Sequence, residues 1–256
     1  MMTGIAPTQK PEEEELARKQ AELCQLEEEL AERELGLANL RAELGAFERR
    51  YVKLVGVLYA ELDEINAQLT ERRARQSGTP EAKGTADQAR AQAEQSRSAV
   101  YAELAKPQES PPSQELKRLY REVAKRIHPD LATEPADRTR RQQLMAKANQ
   151  AYQDGDAALL REILQEYDSS PESVEGSGVA ADLVRIIRKI KQVKIRLTQI
   201  DQETEKLLGS NIGKLKAKAE EREKEGHNLL DELASRVREE IALARRRLKD
   251  EAEAAS

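Results

Sequence analysis

The 256-residue chain is rich in charge and poor in aromatic side chains, so we do not expect one large compact core. Charged residues make up 36% of the sequence and aromatic residues 3%, with no Trp and one Phe. Ala, Glu, Lys, Leu and Arg dominate, which is typical of long helices and coiled coils. The 43 basic and 48 acidic residues leave a net charge of -5, which argues against a nucleic-acid-binding protein as a whole.

Several other classes are also disfavoured. The only cysteine is Cys24, so no intrachain disulfide can form and nothing indicates an oxidising compartment. The first residues lack the apolar core of a signal peptide, and no apolar run approaches the ~18 residues of a membrane span. Two histidines and one cysteine are too few for a typical metal site. We therefore expect a cytoplasmic protein without a metal, a cofactor or a membrane partner.

Residues 12–76 are predicted to form one coiled-coil helix. A second apolar seam runs three residues after the first, and Leu62 and Leu69 later shift that offset to four residues. Such a helix must bury its apolar stripe against a partner. The seven-residue repeat comprises Leu16, Leu23, Leu30, Leu37, Leu44, Tyr51, Leu58 and Ile65.

The C-terminal region, residues 179–250, shows similar helical spacing of apolar residues after a linker at 168–178. Residues 77–100 are predicted as a linker with partly helical character. The simplest pairing folds the C-terminal helices back along residues 12–76 as an antiparallel hairpin. Parallel homodimerisation would satisfy the same apolar stripes, and the sequence does not choose between them.

The helix predicted over residues 114–127 is basic and amphipathic, and it runs directly into His128-Pro129-Asp130. Pro129 ends the helix because the residue before a proline is pushed out of the helical region. A second helix follows and contains Asn149-Gln150-Ala151-Tyr152. The apolar face of the first helix comprises Leu116, Leu119, Tyr120, Val123 and Ile127.

The stretch "LKRLYREVAKRIHPD" and the later Asn-x-Ala-Tyr element resemble a J-domain, the module of DnaJ-type co-chaperones. The resemblance covers residues 101–167. It implies binding to a DnaK-type seventy-kilodalton heat-shock chaperone and stimulation of its ATP hydrolysis. It also implies that Asp130 pairs with an arginine of the chaperone, that His128 and Pro129 shape the turn, and that a basic surface attracts the partner. That surface comprises Lys117, Arg118, Arg121, Lys125 and Arg126.

Two departures from the family are visible. Tyr101 and Leu104 match its first-helix element, but Ala105 replaces a glycine, and the basic-aromatic fourth helix of DnaJ is absent. The zinc-binding repeats and the Gly/Phe-rich linker of DnaJ are also missing. The sequence is similar to divergent bacterial J-proteins in which coiled coils flank the J-like segment.

We therefore predict an all-α co-chaperone or adaptor that is not an enzyme, because the ATP chemistry belongs to its partner. The coiled coils then serve as a spacer, a dimerisation element or a binding site for a client or scaffold protein. One alternative is a structural coiled-coil scaffold whose J-like unit is uncoupled from any chaperone. Another is nucleic-acid binding through the basic helix. In the simplest reading, His128 only ends a helix with a favourable dipole.

Overall fold

A computed structural model describes residues 11–105, 112–132, 135–168 and 179–253. These residues are helical almost throughout and contain no strand, which confirms the predicted all-α class. No helix within them is long and apolar enough to cross a membrane. The α-helices are α1 (Pro11–Tyr51), α2 (Val57–Ser77), α3 (Pro80–Leu104), α4 (Gln114–Ile127), α5 (Pro135–Gln153), α6 (Ala157–Asp168), α7 (Val179–Gly209), α8 (Asn211–Lys224) and α9 (Leu229–Glu253).

The chain divides into two compact units, each built from two segments of sequence. Unit 1 comprises Met1–Ala42 and Glu109–Leu207, and unit 2 comprises Glu43–Gln108 and Leu208–Ser256. From residue 112 onward, the J-like segment therefore belongs to a larger compact unit that also contains most of α1 and nearly all of α7. Of the predicted linker at 168–178, residues 169–178 lie outside the described residues.

Unit 1 has two apolar clusters that share α1. In the first, Ala31 and Ala38 of α1 pack into the buried core formed by α4, α5 and α6. The second joins the heptad leucines of α1 to α7 and includes Leu131, which follows the His-Pro-Asp turn. The buried residues of the second cluster are Leu23, Leu30, Leu37, Leu131, Ile190, Val193 and Ile200.

Within unit 1, α1 and α7 run parallel to each other. From one ion pair to the next, the residue number rises on α1 and also on α7, as it must when two helices are parallel. These pairs are Glu22–Lys194 at 2.7 Å, Arg33–Asp201 at 3.2 Å and Arg41–Glu203 at 2.6 Å.

In unit 2, α2 has both an antiparallel and a parallel neighbour. In the contacts between α2 and α3, the residue number on α3 falls as the residue number on α2 rises, so these two helices form an antiparallel hairpin. In the contacts between α2 and α9, both residue numbers rise together, so these two helices are parallel. The α2–α3 contacts are Glu71–Arg90 at 2.8 Å and Asp63–Ser96 at 2.6 Å, and the α2–α9 contacts are Glu61–Arg245 at 2.5 Å and Arg73–Glu251 at 2.7 Å.

An antiparallel helical hairpin is thus part of the fold, but its members are α2 and α3. The sequence interpretation instead paired the N-terminal helix with the C-terminal helices in that sense, and it described residues 77–100 as a linker with partly helical character. Gly78 ends α2 with a φ of 67°. Thr79 then caps α3, with Pro80 in the first turn, a strong helix start. The parallel pairs, by contrast, are α1 with α7 in unit 1 and α2 with α9 in unit 2.

A short π-helix explains why the spacing between the two apolar seams changes from three residues to four. Residues Val52–Gly56, between α1 and α2, form a short π-helix. Such a turn accommodates one extra residue within a continuous helical course. It contains Leu54, the residue after which the second apolar seam takes an eight-residue step to Leu62. Leu54, Leu58 and Leu62 all pack against the clusters of unit 2.

We expect Ile200→Ala to lower the free energy of unfolding by about 3 kcal/mol, because it leaves a cavity in a packed core. Ile200 is 2% exposed, whereas Ile195 on the same helix is 51% exposed. Ile195→Ala is therefore the matched control and should cost less than about 1 kcal/mol. Denaturant unfolding measures both. Equal losses would show that α7 does not bury the face described here.

Candidate functional site

The site begins with α4, whose boundaries follow from its sequence. The Ser113 hydroxyl accepts a hydrogen bond from the Leu116 backbone amide at 3.1 Å, which caps the start of the helix. Pro129 prevents its continuation beyond His128. The apolar face is fully committed to the core of unit 1. The buried residues are Leu116, Leu119, Tyr120, Val123, Ala124 and Ile127.

The Asn-x-Ala-Tyr element fastens α5 to α4 and to α1. The Tyr120 hydroxyl donates to Asn149 Oδ1 at 2.5 Å, and the Tyr152 hydroxyl donates to Asn39 Oδ1 at 2.5 Å. The two rings lie 4.7 Å apart between centroids. Burial raises the pKa of both phenols, to about 12 for Tyr152. Both hydroxyls therefore stay protonated and act as donors at neutral pH.

The His-Pro-Asp turn is a capped 3-10 turn over Pro129–Leu131. The Asp130 backbone amide donates to His128 Nδ1 at 3.2 Å, so the imidazole caps the turn that follows it. On the other side of the turn, Arg138 Nη2 donates to Asp130 Oδ1 at 2.9 Å. The Asp130 carboxylate thus already has an arginine partner within this chain.

The other nitrogen of His128 meets a buried carboxylate on α1. His128 Nε2 lies 2.9 Å from Glu34 Oε1, and Arg196 Nε of α7 lies 2.7 Å from the same oxygen. His128 is 2% exposed and Glu34 is 4% exposed. Because Nδ1 accepts a hydrogen bond, Nε2 carries the proton and donates to Glu34.

Burial and ion pairing act in opposite directions on the Glu34 carboxyl. Burial raises its pKa, but the hydrogen bonds from His128 and Arg196 outweigh this effect, so the pKa lies below the ordinary value. For the other member of the ion pair, Arg196, burial lowers the pKa. The hydrogen bonds to Glu34 and Glu203 outweigh this effect, so the pKa of Arg196 lies above its ordinary value. Both groups are therefore charged at neutral pH.

Two of the predicted basic residues are covered by acidic residues of α1. Arg121 Nη2 lies 3.4 Å from Glu28 Oε2 and 2.6 Å from Glu32 Oε1. The Lys125 ammonium also contacts Glu28. All four side chains remain between 42% and 53% exposed, so these are surface ion pairs.

The remaining basic residues lie elsewhere on α4. Arg126 pairs with Glu122 one turn earlier, at 3.6 Å. Lys117 is half-buried and Arg118 is exposed. Neither has an ion-pair partner within the described residues. The predicted surface is therefore divided into a covered part, Arg121 and Lys125, and an open part, Lys117 and Arg118.

The segment that matched the family's first helix is not part of the site. Tyr101 and Leu104 lie at the end of α3 in unit 2, where they are 69% and 44% exposed. In unit 1, α1 packs on α4–α6 instead, through Ala31, Leu35 and Ala38. The J-like boundary predicted at residue 101 therefore does not coincide with the compact unit that contains His128.

Sequence reasoning missed the acidic partners Glu28, Glu32 and Glu34. Two weak signals were present. Glu28 and Glu32 are four residues apart, as are Arg121 and Lys125, so both pairs project from one side of a helix. The second seam of α1 also lacks an apolar residue midway between Leu26 and Leu40, close to Glu34.

Comparisons with protein-family models, with curated proteins and with solved structures found no match to this chain. Within the described residues, no group of three or more His, Cys, Asp or Glu side chains could hold a metal ion.

We expect Glu34→Ala to lower the free energy of unfolding by about 3 kcal/mol, because breaking a buried ion pair leaves charge without compensation. The matched control is Glu29→Ala on the same helix. Glu29 is 49% exposed and faces only Arg33, at 3.9 Å, so its loss should stay within about 0.5 kcal/mol. Denaturant unfolding at neutral pH compares the two. A cost at Glu34 no larger than at Glu29 would contradict the buried clamp.

The stabilisation by the Glu34 charge should disappear in acid. Its folded-state pKa is lowered, so the contribution is fully present above the unfolded pKa of about 4.3 and is lost as the pH falls through the folded pKa. The difference in unfolding free energy between wild type and Glu34→Gln should be constant above about pH 5 and shrink below about pH 4. A difference that grows in acid would show the opposite sign of the pKa shift.

Proposed function

We propose that this chain is a J-domain-type co-chaperone or adaptor that binds a DnaK-type heat-shock chaperone and stimulates its ATP hydrolysis. On this proposal it is not an enzyme, because the hydrolysed ATP belongs to the partner. We also propose a cytoplasmic location, where such a chaperone would be met. The coiled-coil helices then serve as a spacer or as a binding site for a client or scaffold protein.

The observation that carries the proposal is the turn at the end of α4. His128 caps it, Pro129 starts it, and Asp130 lies within it, directly after a basic helix. The α4–α5 pair is held together by Tyr120 and Asn149. The same residues that carry the family resemblance thus have connected roles in one helix–turn–helix, which a chance match of three letters does not require.

The charges on α4 suit an acidic partner surface. Lys117 and Arg118 have no ion-pair partner within the described part of the chain, so their charges are available for long-range attraction. Such charges mainly raise the association rate and set orientation, and their effect falls with ionic strength. Asp130, at the turn, would then accept a charge-assisted hydrogen bond from a chaperone arginine.

A second candidate function, a structural coiled-coil scaffold, is favoured by one specific observation. His128 is buried and hydrogen-bonded to Glu34, which in turn binds Arg196. His128 therefore has a structural role that links α4 to α1 and α7. A chain that kept His-Pro-Asp only for this role would bind no chaperone.

Single-turnover ATP hydrolysis by the DnaK-type chaperone from the same source separates the two functions. We expect the wild-type chain to accelerate hydrolysis at saturating concentration, and His128→Gln to remove this effect. The matched control is His227→Gln, since His227 is the other histidine and is 55% exposed. That variant should stimulate as well as wild type.

Circular dichroism and thermal unfolding must accompany this assay, because His128 is buried. Asp130→Asn supplies a second variant at a less buried position and should also abolish stimulation. No stimulation by folded wild-type chain at any concentration would refute the co-chaperone proposal and favour the scaffold. Retention on DNA that Asp130→Asn leaves intact would indicate nucleic-acid binding instead.

A further inference from the structure

The contacts that a chaperone would make with the His-Pro-Asp face are already made within this chain. Glu28 and Glu32 of α1 contact Arg121 and Lys125 of α4. These acidic residues occupy the place that the proposed function gives to the acidic surface of the partner. The covering helix is part of the same compact unit as α4.

The Asp130 carboxylate of the turn likewise already has a partner within the chain. Asp130 Oδ1 accepts a hydrogen bond from Arg138 at 2.9 Å, and the Asp130 side chain is only 14% exposed. On the proposed function, this carboxylate should bind an arginine of the chaperone. Arg138 of α5 thus supplies the same chemical group in the same role. The Arg138 side chain is 45% exposed, so a competing arginine could displace it.

We propose that α1 and Arg138 form an autoinhibitory latch on the J-like site, in which charges of the chain itself imitate those of the chaperone. This inference rests on the proposed function and adds its regulation. Of the five basic residues of α4, Lys117 and Arg118 are the two without an ion-pair partner in the described part of the chain, and they would make the first encounter. Full docking then requires Glu28 and Glu32 to release Arg121 and Lys125, and Arg138 to release Asp130.

The contacts of α1 with α4 and the turn are of two kinds. The exposed ion pairs form a weak outer layer of the latch, and the buried contact of Glu34 forms a strong inner layer. Each exposed ion pair of the outer layer is worth a factor of about 1.5 to 5 in the equilibrium. The three contacts among Glu28, Glu32, Arg121 and Lys125 should therefore reduce apparent affinity by at least about threefold, since affinity falls with the fraction of competent protein. The inner contact, Glu34 with His128, is buried. A variant without it would lose stability as well as inhibition, so the two effects could not be told apart.

The test uses the full chain with two exposed residues changed, Glu28→Gln and Glu32→Gln. The readout is the concentration that half-maximally stimulates single-turnover ATP hydrolysis by the DnaK-type chaperone. We expect this concentration to fall at least about threefold with the maximal rate unchanged. The control, Glu15→Gln with Glu29→Gln, removes the same charge from the same helix. Glu15 and Glu29 pair with Arg18 and Arg33 of α1.

The outcomes separate the latch from the function on which it rests. A lower half-maximal concentration for the Glu28/Glu32 variant, but not for the control, supports the latch. Stimulation by wild type at the same concentration as the variant overturns the latch and leaves the proposed function standing. An equal gain in the control assigns the effect to net charge and also overturns it. No stimulation by any of the three folded proteins refutes the proposed function, and the latch with it.

Arg138→Gln tests the other half of the latch independently. We expect it to lower the half-maximal concentration by a factor of about 1.5 to 5, the range taken above for one ion pair. Its control is Arg161→Gln, since Arg161 is 52% exposed and pairs with Glu115 of α4 away from the turn. A rise in the half-maximal concentration for Arg138→Gln would show that Arg138 supports the active turn, and would remove it from the latch.

Discussion

One buried carboxylate connects the helices of unit 1 around the His-Pro-Asp turn. Glu34 of α1 accepts hydrogen bonds from His128 at the end of α4 and from Arg196 of α7. A buried ion costs free energy unless it is paired and hydrogen-bonded, so the three groups depend on one another. The orientation of the His128 ring, and through it the cap on the turn, is set by this contact. The candidate site is thus held in shape by a helix more than 90 positions away in sequence.

The same contact explains why the turn is well formed and why acidic side chains lie against α4. His128 caps the turn through Nδ1, and α1 supplies the carboxylate that fixes the ring. The helix that supplies it also brings Glu28 and Glu32 onto the basic residues of α4. On the proposed function, support of the turn and competition with an acidic partner are therefore consequences of one packing arrangement. The surface pairs can exchange at little cost, whereas the buried group keeps the turn in place.

Local patterns in the sequence predicted much of this fold. Heptads predicted the α1 and α2 helices, and Pro129 predicted the end of α4. The direction of helix pairing could not be derived, because a heptad stripe specifies that a partner exists and not its sense. Because residues 77–100 were interpreted as a partly helical linker, the reversal of chain direction between α2 and α3 at Gly78 was not predicted. Glu34 could not be found either, since its partners lie far away in sequence and a glutamate in a charged helix is normally solvated.

Hydrogen–deuterium exchange at increasing concentrations of the DnaK-type chaperone, with ATP, tests most directly the proposal that the chaperone competes with α1 for α4. Wild type is compared with the Glu28→Gln/Glu32→Gln variant, because helix amides exchange more slowly when their packing is increased. We expect slower exchange in α4 and around Asp130 in both proteins, reached at a lower chaperone concentration in the variant. Protection of α4 at the same chaperone concentration in both proteins would contradict the competition. Unchanged exchange in α4 at every concentration would show that the chaperone does not bind this face.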